Sequence, residues 1–141
     1  MQIKNTSETY GLIAKMFHWS MALIIMGLLL LGLYMEDMAA SPDKYELYGL
    51  HKSFGLLVLW LVGVRILWRG FNTTPKPNAS HQKWERVLAK IVHVLLYVSM
   101  IGMPLTGWLM SSAGGHAVSF FGTNMPALMA ENKDFSKLMN E

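Results

Sequence analysis

Three histidines carry most of the chemistry this sequence can offer. His18, His51 and His93 each sit at the edge of, or inside, a long apolar run. Cysteine is absent, which removes disulfides, thiol catalysis, cysteine-held iron–sulfur clusters and covalent haem attachment together. A metal or cofactor would therefore be held by His, Met or carboxylate. An imidazole left unpaired at membrane depth costs several kcal/mol, so each of these residues is a functional-site hypothesis by default. Gly55 lies one helical turn beyond His51 on the same face, and Val58 and Val62 continue that face. A missing side chain beside an imidazole leaves a flat notch of the kind a porphyrin ring requires. The face of His18 continues through Ala22, Ile25 and Leu29, again with a small residue one turn away, whereas His93 is followed by Tyr97, Met100 and Pro104. Lys52 at one end of the second run, and Arg65 and Arg69 at the other, are cations placed to pair with propionates. Each feature has a plainer reading. Small residues in membrane helices commonly make packing surfaces, an interfacial histidine can hydrogen-bond among headgroups, and Trp19 beside His18 suits an interfacial anchor. The 12 methionines read as packing and lipid-facing residues. His81 and His116 fall in polar loops and read as solvated.

The elements that must position these histidines are membrane helices. Of 141 residues, 52% are hydrophobic and 15% charged, against roughly 25% charged in a soluble domain. Crossing the bilayer core takes about 20 mostly apolar residues in a helix, because a helix satisfies its own backbone there. Three spans meet that demand: Phe17 to Met35, Tyr48 to Trp68 and Ile91 to Met110. Nothing alternates with period two, so the expected class is an all-α membrane protein of one domain over 1–141. Pro104 inside the third span predicts a kink. Lys4 and Lys15 before the first run, and "MAAS" after it, resemble a signal peptide. The run is long, starts late and is followed by two more, so it reads as a retained span. Residues 111–141 read as an outer loop with a short interfacial helix near its end.

Charge sets the direction. Lys4, Lys15, Arg65, Arg69, Lys76, Lys83, Arg86 and Lys90 lie on one side; Lys44, Lys52, Lys133 and Lys137 lie on the other. By the positive-inside rule the N-terminus and the Arg65–Lys90 connector are cytoplasmic and the tail is outside. "TTPKPN" in that connector is a stiff, turn-rich link. His18 and His93 then belong to the cytoplasmic half and His51 to the outer half, an arrangement that an electron wire across the membrane needs. The net charge of +3 is small and dispersed, and no nucleic-acid motif occurs, so nucleic acid is not an expected partner.

The segments "AKMFHWSMALIIMG", "YGLHKSFGLLVLWLVGVRILWR", "PKP", "HVLLYVSMIGMPLTGWLM" and "FFGTNMP" together resemble, in order, the bacterial cytochrome b561 family. That family is related to the b-type subunits of membrane hydrogenases and formate dehydrogenases. The resemblance implies a four-helix transmembrane bundle with two b haems, in the bacterial inner membrane. It implies that His18 ligates the cytoplasmic-side haem and His51 the outer one, each with a second histidine from a fourth span. The chain ends about where that span is expected. A C-terminally incomplete chain, a partner subunit or homo-oligomer supplying the helix, and a haem held by His18 with His93 are all compatible with the residues. Bis-histidine ligation leaves iron no open position, so the implied chemistry is single-electron transfer in a respiratory chain, between a donor and a quinone such as ubiquinone. Whether the chain is an electron carrier or a quinone-linked oxidoreductase stays open. So do three alternatives: a haem-bearing anchor for a peripheral dehydrogenase or hydrogenase, a superoxide:quinone oxidoreductase, and a cofactor-free structural membrane protein. Superoxide would favour a cationic outer funnel, but the first outer loop sets Lys44 against Glu36, Asp37, Asp43 and Glu46. No acid–base pair, nucleophile–base arrangement or phosphate loop supports hydrolase or transferase chemistry.

Overall fold

The computed structural model describes residues 2–76 and 82–138; the predicted loop position of His81 lies outside them. Three long helices dominate: α1 (Leu12–Glu36), α2 (Pro42–Phe71) and α3 (Lys83–Ala113). A two-residue hairpin, β1 (Ser119–Phe120) with β2 (Thr123–Asn124), and a short α4 (Lys133–Leu138) follow. All three long helices are long and apolar enough to cross a membrane. Each overruns its predicted span because a helix has no reason to stop at the hydrocarbon edge. At 25, 30 and 31 residues, they extend roughly 37–46 Å at 1.5 Å per residue, beyond a core of about 30 Å.

Local chemistry sets several ends. α2 starts at Ser41, whose side chain accepts the Lys44 N–H at 3.2 Å, with Pro42 in the first turn. α3 starts with a capping box between Gln82 and Glu85. α3 runs on through Pro104, which has no N–H to give the Met100 carbonyl, and Thr106 Oγ1 bonds the nearby carbonyls of Gly102 and Met103 at 2.9 and 3.0 Å. At the α1 N-terminal end the chain clasps the connector after α2. Asn5 donates to the Thr73 carbonyl and the Lys76 N–H donates to the Ser7 carbonyl, both at 3.0 Å.

α2 is the central helix, packed against both α1 and α3, whose backbones make no close approach to each other among the described residues. Met21, Val58 and Val62 form the mid-depth core, with Ile24, Ile25 and Leu28 of α1 and Tyr97, Met100 and Ile101 of α3 packed around them. The outward faces are the reverse of a soluble protein: Leu23 is 72% exposed and Met103 70%. Such a surface is suited to lipid, which a soluble domain avoids over this extent.

Candidate functional site

Two contacts fix how α1 and α2 run past each other. Near one end, Arg65 Nη2 lies 3.4 Å from His18 Nδ1. Near the other, a Cβ built on Gly32 would stand 3.7 Å from His51 Cε1. Moving from residue 18 to 32 on α1 matches moving from 65 back to 51 on α2, as a regular antiparallel pair requires. His18 and His51 are therefore separated along the bundle by roughly 21 Å at the ideal helical rise. The sequence placed them at opposite ends, and the structure does so.

The His51 end is the more enclosed. The ring is half-buried, and its Nδ1 is sealed from solvent with no hydrogen-bond partner among the described residues. A buried polar nitrogen left alone costs about 1–3 kcal/mol, and with Nδ1 walled in, Nε2 is the ring nitrogen that a ligand could meet. Two glycines leave room for it. Gly32 of α1 keeps its side of the ring free of a side chain, and a Cβ on Gly55 would meet nothing within 4 Å. Gly55 was legible from its spacing; Gly32 was not, because the register of two helices is not written in either one. The one available signal was its place on the same face of α1 as His18, Ala22, Ile25 and Leu29. Lys52 is half-buried at this level.

The tail folds back over this end. Ser53, 5% exposed, sits two residues beyond His51. Its Oγ lies 2.9 Å from the carbonyls of both Gly49 and Ser119 and accepts the Phe121 N–H at 3.2 Å. Phe121 and Gly122, the central residues of the hairpin turn, have φ +46° and +92°, the signature of the tight turns that suit twisted strands. Phe121 meets Phe54 edge-on at 5.2 Å between ring centroids, and Phe120 at 5.0 Å. The Trp108 indole donates to the Pro126 carbonyl at 3.1 Å, and the Leu128 N–H to Ser112 at 3.1 Å. The expected loop is thus a structured cap containing an unforeseen hairpin; the short helix near its end is α4. His116 in this cap is exposed.

At the opposite end His18 is exposed, half-buried Arg65 points its guanidinium at it, and Arg69 is exposed. The Trp68 Nε1 is buried there without a partner among the described residues. His93 is exposed and lines a shallow groove with Trp84, Glu85, Leu88, Ala89 and Val92, all from α3 itself. The structure therefore brings His18 to Arg65 and His51 to Gly32, and does not join His93 to either.

A helical bundle with a histidine toward each end, one of them half-buried beside open glycine positions, has residues that could hold a haem. Those are features that a membrane cytochrome would have. The chain belongs to the prokaryotic cytochrome b561 family, whose sequence model matches residues 9–141. Its place there makes it a membrane protein that binds haem b in an electron-transfer role. It is similar to cytochrome b561 homolog 2 of Escherichia coli (strain K12), 35% identical over 133 residues, which are 93% of this chain and 71% of that one. It is also similar to cytochrome b561 homolog 1 of the same organism, 24% identical over 89 residues, 63% of this chain and 51% of that one.

Proposed function

We propose that this chain carries single electrons across the bacterial inner membrane, between a donor and a membrane quinone, using two bis-histidine sites. His51 holds the outer haem and His18 the cytoplasmic one. The observation that carries the reading is the His51 ring, closed in at its Nδ1 and flanked by the open Gly32 and Gly55 positions. That geometry leaves Nε2 as the ligating atom. Bis-histidine b haem supplies a one-electron couple with no open position for oxygen. The protein's part is to orient the imidazoles, exclude water and set charge near the propionates. Lys52 is the cation for the outer propionates; Arg65 and Arg69 serve the cytoplasmic ones. The second ligand to each haem comes from a further transmembrane helix, in a neighbouring segment or a partner chain, seated on the side where α1 and α3 do not meet. A ligand role for His93 belongs to the competing arrangement, in which it shares the cytoplasmic haem with His18. The N-terminus is cytoplasmic and the hairpin cap is outside, as the charge asymmetry of the loops supports.

The test is haem content by pyridine haemochrome, with reduced-minus-oxidised spectra, for wild type, His51→Ala, His18→Ala and His93→Ala in native membranes. The first two variants are expected to lose one of two haem equivalents each, and the third to keep both. Two full equivalents in His51→Ala would overturn the assignment. Loss in His93→Ala would transfer the second cytoplasmic ligand to α3.

A further inference from the structure

Among the described residues, the cap over the His51 end is fastened to α2 by polar contacts at one residue, Ser53. Among the described residues, the buried polar ones are Ser53 and, at the α3 terminus, Ser111 and Ser112, and the Ser53 hydroxyl has more partners in reach than a helical serine needs. Bonding to the Gly49 carbonyl one turn back is ordinary behaviour for a helical serine. The Ser119 carbonyl and the Phe121 N–H are different, because both belong to a hairpin 66 and 68 residues away. One hydroxyl proton serves one carbonyl fully at a time, while a lone pair takes the Phe121 N–H. The fastening also holds an unfavourable backbone. A non-glycine residue in the left-handed region costs on the order of 1–2 kcal/mol, and Asn-Gly would form this turn more readily. Phe121 adopts it with φ +46°. What the chain keeps by having phenylalanine there is the ring, set edge-on to Phe54, one turn along α2 from His51.

We propose that Ser53 is a positioning residue for the outer haem site: it latches the 119–124 hairpin to α2, so that half-buried Phe54 and Phe120, with Phe121 (53% exposed) laid over Phe54 from the solvent side, wall the aqueous side of the His51 site and limit the water that reaches it. The inference rests on the assignment of His51 as a haem ligand. Its consequence is electrochemical. Ferric haem carries one more positive charge than ferrous, so water at the haem edge favours the oxidised form and lowers the potential, and an apolar wall raises it.

The test uses the haem-loaded full chain with Ser53→Ala, Ser53→Thr and Phe121→Gly. Amide exchange followed by mass spectrometry reads the latch, and a redox titration reads the site. Ser53→Ala is expected to speed exchange at the Phe121 amide about three- to tenfold, as loss of one hydrogen bond implies, and to lower the outer midpoint while leaving the cytoplasmic one in place. Ser53→Thr keeps the hydroxyl and restores both. Phe121→Gly suits the left-handed turn, keeps the hairpin closed and still lowers the outer midpoint, so it decides the matter if Ser53→Ala folds poorly. Unchanged exchange in Ser53→Ala overturns the latch. An unmoved outer midpoint in Phe121→Gly overturns the wall, as does a shift of both haems together. A wild-type chain without b haem would instead refute the His51 assignment itself.

Discussion

At the scale of single residues, the deciding contrast is between the two histidine environments. His51 is enclosed with an orphaned nitrogen, whereas His18 lies beside a guanidinium. Arg65 is a donor only, so its 3.4 Å approach to Nδ1 is a hydrogen bond only while that nitrogen is unprotonated. A neutral imidazole that ligates iron through Nε2 keeps its proton on Nδ1. Arg65 must then turn to an acceptor such as a propionate when the site is filled. A cation there favours the reduced, less positive haem, so Arg65→Gln is expected to lower the cytoplasmic midpoint without loss of haem. A potentiometric titration with that midpoint unmoved would leave Arg65 only its part in topology. Gly32 gives a graded test of the outer notch. A Cβ at 3.7 Å from the His51 ring is ordinary contact, so Gly32→Ala should retain both haems, while Gly32→Leu should displace the ring and cost the outer one. Trp68 offers the opposite sign: Trp68→Phe removes a buried donor with no partner among the described residues, and is expected to leave the melting temperature unchanged or raise it.

At the scale of elements, what could be read in advance followed one rule. Features set within a single helix were legible: the three apolar runs, and the ends of those runs at which His18 and His51 stand. Features set by two elements meeting were not. Gly32 faces His51 only because α1 and α2 run antiparallel in one particular register. The Ser53 fastening pairs residues 66 and 68 positions apart. The hairpin escaped notice because Phe-Gly stands where Asn-Gly is the usual signal, and its φ values become acceptable only with the bond and ring contacts supplied by α2. Helix ends were missed by several residues, since hydropathy locates the hydrocarbon boundary while caps such as Ser41 locate the backbone boundary. Ser41 is therefore separable from function. Ser41→Ala removes the acceptor for the Lys44 N–H and is expected to cost about 1 kcal/mol. Thermal unfolding in detergent should report that loss while haem content and both midpoints stay as in wild type.

At the scale of the whole molecule, the 14-residue offset between His18 and His51 becomes a statement about sidedness. An offset of roughly 21 Å along the bundle occupies most of a hydrocarbon core of about 30 Å. If His18 and His51 each hold a haem, one of the two would exchange electrons with the outer aqueous phase far more readily than the other. His51 also lies at the end that carries the hairpin, which is the end with the sparser positive charge. In right-side-out vesicles a membrane-impermeant reductant is therefore expected to reduce both wild-type haems, through the outer site first. With His51→Ala the remaining haem should stay oxidised under the same conditions, and it should become reducible when the vesicles are inverted. His18→Ala should show the converse pattern. If the haem left in His51→Ala were reduced from outside at the wild-type rate, electrons would not need the outer site, and the two histidines would not form a wire. If the patterns appeared with the vesicle orientations exchanged, the wire would stand, and the direction read from the charged loops would be the step to reverse.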